Sequence, residues 1–363
     1  MNFWTDSQGR VQSVLTASYG FPPGGRLTLA SGGQPCPGDV AAGTSVYYTP
    51  YRGNRISLWN GNLWQTLTFA ETTLAGSAIS GTGLRMSTAG NTTVNTNTIT
   101  GIPSTTGLAV GDFVDSVNFP NGTWISAVNS ATQVTVTANS TGTSTGVAIR
   151  FYAQLYDVFG YLDPNNGLVL TTLPWANRTG RATNISLSDG FYVNANDKTR
   201  LYLGTLGLAT ASQSGSNTVY DTQYARQVYN YYNRVRRRAW CSDFSPHTYG
   251  TAAFRPWNNG SVAAGNYWNI STVMGMAEDT MVYTLMADMN GATTGDLPDI
   301  GVGLDSTTGV FFDMFYQYYR ERASRVFNTS IGAGYHVYYV LETMASGTSA
   351  TFNGMEMSID LWI

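Results

Sequence analysis

Few residues in this chain of 363 have the chemistry of a catalytic or ligand-holding group. His247 and His336 are its two imidazoles. Neither lies in a His-x-His or His-x-x-x-His pair, so the sequence has no nucleus for a zinc site. Glu278-Asp279 is a carboxylate pair of the sort a glycosidase uses. Adjacent residues of a strand point to opposite faces, however, so these two cannot flank one bond, and only a pair assembled from distant loops stays open. No Walker loop occurs. Gly301-Val302-Gly303 sits in a strand-like run with no helix after it and reads as close sheet packing rather than a nucleotide site. Arg234-Val235-Arg236-Arg237-Arg238 is the one basic cluster. In a net-acidic chain it reads as a strand end paired with carboxylates elsewhere, ahead of contact with DNA or an acidic sugar. Cys36 and Cys241 have no second Cys or His at metal-ligand spacing and read as free thiols, with a disulfide between them left open. The sequence therefore assigns no catalytic, cofactor-binding or metal-binding residue, and no receptor-binding residue.

The composition constrains the elements that would position any site. Charged residues make up 11% of the chain, against about 25% in ordinary soluble proteins. There are 40 Gly and 23 Tyr. A neutral surface rich in hydroxyls and amides suits stacked β-structure in an assembly, where charges would have to be desolvated or paired. Tyr buries area at small entropic cost and keeps a hydroxyl, which points to interfaces or sugar contacts. A formal net charge of −3 argues against direct nucleic-acid binding. The start, MNFWTDSQGR, lacks the features of a secretory signal, and no apolar run approaches the roughly 18 residues of a membrane helix, so neither export nor membrane insertion is expected.

Turn signals and β-prone runs predict an all-β fold of antiparallel sandwich or jelly-roll-like domains. Residues 1–25, ending in Phe21-Pro22-Pro23-Gly24-Gly25, read as an extended arm. Residues 26–74 with 150–208 read as a first host domain, 75–149 as a small inserted sandwich or barrel, and 221–363 as a C-terminal domain. Val46 to Phe69 reads as a three-stranded meander with a two-residue type I′ turn at Asn60-Gly61. Asp189-Gly190 is a second hairpin turn, and Asn165-Asn166-Gly167 a longer loop. In the insert, Gly101-Ile102-Pro103, Leu108 to Val114 and Gln133 to Thr137 are strand candidates. Residues 209–220 read as an exposed loop, Asp221 to Trp240 as strand rather than helix, and Ser245 to Trp257 as a hairpin. Phe311 to Tyr319 reads as half core and half interface. The apolar run Ile359 to Ile363 has to be tied into a sheet to avoid aggregation. Trp59 and Trp64 read as core or interface residues rather than ligand stackers.

Several stretches together carry a family likeness: LTLASGGQP and YYTPYRGNRISLWNGNLW, then YDVFGYLD, DGFYVNANDKTRLYLGT, YNYYNRVRRRAW and GVGLDST. With them the chain outside residues 75–149 resembles structural proteins encoded by tailed phages and prophages, labelled tail-fibre, minor tail or virion proteins. The insert is similar to small β modules of phage surface proteins. The resemblance implies a non-enzymatic virion component, made in the host bacterial cytoplasm, without cofactors and assembled as a homotrimer. Its expected partners are other virion proteins, bound through the N-terminal arm, and a host surface glycan. The first role it implies is a tail fibre or host-attachment protein; the alternative is a capsid decoration protein, head fibre or tail adaptor. A recognition surface, if present, is expected on the insert.

Overall fold

In the computed structural model of the chain, residues 2–5, 11–14, 20–32, 39–209, 218–261, 267–278, 280–291, 296–315 and 320–363 are described. Cys36, Asp279, most of the 209–220 segment and the end of the Phe311 to Tyr319 run lie outside them, as does much of residues 1–19. The fold is all β, in several mainly antiparallel sheets. Among the described residues the helical exceptions are the helix Gly76–Thr82 and a 3-10 turn at Trp257–Gly260, and no helix is long and apolar enough to cross a membrane. Within residues 1–14, Asn2–Thr5 and Val11–Val14 pair as antiparallel strands.

Strict alternation builds the largest core. Along Met281–Gly291, Met281, Tyr283, Leu285, Ala287 and Met289 are buried while most residues between them are not, as the two-residue period of a strand requires. This strand lies beside Ala350–Trp362 in a five-stranded sheet that also holds Arg236–Asp243, Arg320–Thr329 and His247–Tyr249. Its buried side chains share one core with Ile300, Val302, Tyr338 and Val340 of a facing sheet. That eight-stranded sheet runs through Phe312–Phe315, Leu297–Leu304, Gly334–Ser346, Asn269–Met274, Ala225–Arg226, Val219–Thr222 and Val40–Gly43, with Arg255–Pro256 added on Gly334–Ser346. Among the described residues its one parallel pairing joins Ala225–Arg226 to Asn269–Met274.

A six-stranded sheet is centred on Leu155–Leu162 and Asp197–Gly207, and Val228–Asn230 pairs with the latter. Segments on either side of residue 209 thus share sheets. A second core gathers Leu27, Val46, Tyr48, Ile56, Leu58, Tyr156 and Leu203. A third lies mainly within the insert and joins Ile99, Ile102, Val114, Phe119, Ile125, Val134, Val136 and Ile149 with Phe151 just beyond it. The insert has two three-stranded sheets: Thr98–Ile99, Gln133–Val136 and Ile125–Ser130 in one, Phe113–Asp115, Ser144–Tyr152 and Leu84–Thr92 in the other. The strand Ser144–Tyr152 runs across residue 150, and Phe113 and Tyr152 belong to the second core, so the insert is packed onto its host.

Local turn chemistry explains the hairpins that match expectation and those that do not. Asp189 and Gly190 both adopt positive φ, 51° and 86°, and close a two-residue hairpin between Ile185–Ser188 and Phe191–Asn194. At Asn60 the hairpin forms, but the turn is longer than expected. Trp59 pairs with Trp64, leaving a four-residue loop in which Asn60 Oδ1 accepts from the amides of Asn62 and Leu63, each at 3.0 Å. The Asn60 side chain thus imitates a backbone turn. The three-stranded meander does not form. Ser45–Pro50 pairs with Gly25–Thr28 and Thr72–Ala75, while Arg55–Trp59 pairs only with Trp64–Thr68. Gly24 sits at the corner, accepting from the Tyr51 and Arg52 amides and donating to Arg55 O at 2.8 Å. A Cβ on Gly24 would lie 2.6 Å from Gly53 O, so only glycine fits.

The Ser245 to Trp257 hairpin is likewise replaced: His247–Tyr249 pairs with Ala350–Trp362 and Arg255–Pro256 with Gly334–Ser346. The Asp221 to Trp240 stretch is four short strands, Val219–Thr222 through Arg236–Asp243, with no helix. Ile363 is buried and exchanges backbone hydrogen bonds with Val235.

Candidate functional site: an aromatic cleft between the insert and the eight-stranded sheet

The residues singled out for chemistry are engaged in structure. Among the described residues no group of three or more His, Cys, Asp or Glu could hold a metal ion. His336 Nδ1 lies 2.8 Å from Asp305 Oδ2 and its Nε2 3.0 Å from Gly332 O. His247 bonds the buried Glu342. Glu278 pairs with Arg234 at 3.5 Å. The rest of the basic cluster is neutralised as well: Arg236 by Asp360, Arg237 by Asp221 and Arg238 by Glu356. Gly301 and Gly303 lie within the strand Leu297–Leu304, and a Cβ on Gly303 would overlap Ser306 O. Cys241 is buried and free, and burial pushes its thiol pKa up. Trp64 is buried and donates to Asp189 at 2.9 Å, while Lys198 Nζ sits 3.6 Å from the centroid of Trp59. An ammonium thus already covers one face of the Trp59 ring.

What sequence reasoning did not find is a cleft of about 340 Å³, within the range of small-ligand sites. Its floor is one face of the eight-stranded sheet. Tyr335, Val337 and Tyr339, at every second position of Gly334–Ser346, all line it. Ser271 is registered opposite Val337 and Asn269 opposite Tyr339, and Ala225 follows opposite Ser271 on the parallel strand. Tyr338 and Val340, on the other face of the same strand, are fully buried. Tyr220, Tyr224 and Tyr267 form one rim, with the last two rings stacked at 3.6 Å. The insert supplies the opposite wall through Phe113, Gly122 and Trp124.

Arg178 joins the insert wall to the floor. Its guanidinium carbon lies 3.9 Å from the Trp124 ring centroid and 5.0 Å from that of Tyr335. Its Nε donates to Gln154 Oε1 at 2.7 Å, and its backbone O accepts from the Tyr335 amide at 2.8 Å. Gly111, with φ of 95°, leaves room for the side chain, because a Cβ there would overlap it. Burial lowers the Arg178 pKa from its ordinary value, and the group remains a cation at any working pH. The cleft thus offers ring faces, the amides of Gln154, Gln227 and Asn269, the hydroxyl of Ser271 and one guanidinium. Asn269 and Ser271 have no side-chain hydrogen-bond partner among the described residues, so their polar atoms are available to a ligand.

The insert wall is anchored by a buried ion pair. Asp112 Oδ1 lies 3.3 Å from Arg85 Nε, its Oδ2 accepts from Ala109 N at 2.8 Å, and Arg85 also donates to the carbonyls of Trp175 and Ala176 just before Arg178. Burial raises the Asp112 pKa to about 6, with Arg85 opposing the shift. Because the folded value lies above the unfolded one near 3.9, the linked stability is fully present below about pH 4 and lost as pH rises through 6. The unfolding temperature of the wild type relative to Asp112→Asn is therefore expected to rise as pH falls from 7.5 to 5. The linked energy is at most about 3 kcal/mol. A difference independent of pH would contradict the assignment.

No protein-family model and no curated protein matches the chain. Solved structures similar to parts of it include dimeric latent PorU from Porphyromonas gingivalis, at 7% identity and a TM-score of 0.25, covering 76% of this chain and 21% of that one. The insecticidal delta-endotoxin Cry8Ea1 from Bacillus thuringiensis is 9% identical at a TM-score of 0.19, covering 89% and 49%. The Arthrobacter globiformis T6 isomalto-dextranase complexed with panose is 11% identical at 0.17, covering 75% and 34%. The chain thus spans half or less of each of these proteins, and at such values the likeness identifies no relative.

Proposed function

We propose that this chain is a virion surface protein of a tailed phage that attaches to host glycans through the cleft and works by recognition without chemistry. The observation that carries the reading is the composition of the cleft. A pyranose presents C–H groups on its ring faces and hydroxyls at its edges. Half-buried Trp124, Tyr224, Tyr335 and Tyr339 line the cleft with aromatic surface, Trp124 with one ring face against Arg178 and Tyr224 with one against Tyr267, and Gln227, Asn269 and Ser271 offer donors and acceptors beside them. The virion setting rests on the family likeness of the sequence. In this reading residues 75–149 are an inserted module that completes the cleft, residues 1–25 anchor the protein to the particle, and three copies assemble.

Labelled purified protein is expected to bind host cells and to block infection in competition. Trp124→Ala and Tyr224→Ala should each weaken binding about tenfold, the equivalent of ~1.4 kcal/mol. Protein that neither binds cells nor blocks infection would sink the attachment role and leave the structural alternative, a capsid decoration or tail adaptor protein. Labelling of intact virions separates these roles, with attachment requiring the tail. A stable monomer in sedimentation at micromolar concentration would count against the trimer.

A further inference from the structure

We propose that the cleft selects saccharides that carry a carboxylate, which the Arg178 guanidinium holds; this rests on the saccharide reading of the same cleft. The basic cluster Arg234 to Arg238 is engaged as its sequence suggests, each arginine paired with Glu278, Asp360, Asp221 or Glu356. Arg178 differs from them. Among the described residues no carboxylate lies within ion-pair distance of it, and its only side-chain hydrogen bond is from Nε to Gln154. Both terminal nitrogens, four N–H donors in a planar fork, are therefore left without partners in a half-buried position.

The nearest acids do not fill that role. Asp112 and Asp305 attract Arg178 only at longer range. Asp112 is already bonded to Arg85 and to Ala109 N, and Asp305 to His336 and to Val337 N. Meanwhile Trp124 and Tyr335 flank the guanidinium, Gln154 fixes its Nε, and Gly111 leaves it space. A cation oriented this way and lacking its own counter-ion matches a bidentate carboxylate, with little orientational freedom left to lose on binding. The neighbouring ring faces would carry the sugar that bears the acid. The net-acidic chain offers a polyanion no broad attraction, so one acidic group per bound unit is the expected mode.

The test compares a glucuronic-acid-containing oligosaccharide with its carboxyl-reduced, neutral counterpart in titrations of the full chain. The wild type is expected to bind the acidic form about tenfold tighter, with a preference that weakens as salt is added. Arg178→Gln should abolish the preference, so that the acidic and neutral forms bind equally. Arg178→Lys, which keeps the charge but not the fork, should retain only part of it. If Arg178→Gln is poorly folded, the salt dependence of the wild-type preference and Arg178→Lys give the answer. Equal binding of both sugars by the wild type, or a preference that survives Arg178→Gln, would overturn the carboxylate assignment and leave saccharide binding intact. Absence of binding to either sugar would overturn both.

Discussion

Asp157→Ala is expected to lower the unfolding free energy by about 3–5 kcal/mol, the cost of stranding a buried charge. Asp157 lies in Leu155–Leu162, with its side chain 2% exposed. Arg181 grips it with two bonds, Nε to Oδ2 at 2.6 Å and Nη2 to Oδ1 at 3.1 Å, and Thr205 donates to Oδ1 at 2.7 Å. The same Nη2 donates to Gly275 O at 2.6 Å, just beyond the strand Asn269–Met274, so one arginine ties the six-stranded sheet to the eight-stranded one. Arg181 also lies over the ring of the buried Trp175, 4.3 Å from its centroid. Removing the carboxylate leaves that guanidinium desolvated among aromatic rings with only neutral acceptors. Asp157→Asn keeps the shape and one acceptor and should cost clearly less. Urea unfolding measures both, and an Asp157→Ala unfolding free energy within about 1 kcal/mol of wild type would contradict the pair's role.

Glu342→Ala should be comparably damaging, again about 3–5 kcal/mol. Glu342 is fully buried in Gly334–Ser346, and it accepts from Arg255 Nε at 2.8 Å and pairs with His247 Nε2. His247 belongs to a strand of the five-stranded sheet and stacks on Phe352 at 5.5 Å, with Trp257 edge-on at 4.8 Å. The carboxylate therefore holds the two sheets of the C-terminal sandwich together from inside. Glu342→Gln retains volume and a hydrogen-bonding oxygen and should lose less. An equal loss in both variants would mean that packing, not charge, carries the effect.

These two pairs also show where sequence reading stops. Asp189-Gly190 was legible because a two-residue turn is decided by its own φ angles. The all-β class was legible from alternation, as in Met281 to Met289. The Val46 to Phe69 meander failed because Gly24, some thirty residues away from the turns, takes the backbone bonds that a hairpin would have used. The helix Gly76–Thr82, GSAISGT, has few strong helix formers and is set by its surroundings; Ile79 is fully buried in the second core. In the insert, Leu84–Thr92 and Ser144–Tyr152 are the longest strands, yet their Ser, Thr, Gly and Asn content hides them among the turns.

The cleft was illegible for a different reason. Tyr335, Val337 and Tyr339 could be read as one face of a strand, but Trp124 and Arg178 join them only through three-dimensional packing. Arg178 sits in a polar turn, Ala176 to Gly180, whose composition looks like any loop. The one available signal was the surplus of Tyr, which pointed to sugar contacts without giving their place. In the proposed reading the recognition surface lies at the insert's seam with the host sheet.

Saccharide binding at that seam is the central claim, and titration of the purified chain with fragments of host envelope glycan, followed by tryptophan fluorescence, tests it most directly. Trp124 in the wall should report a saturable change with one site per chain, and Tyr224→Ala, which leaves Trp124 in place, should weaken that change about tenfold. A wild-type signal that never saturates, or one that Tyr224→Ala leaves unaltered, would contradict it.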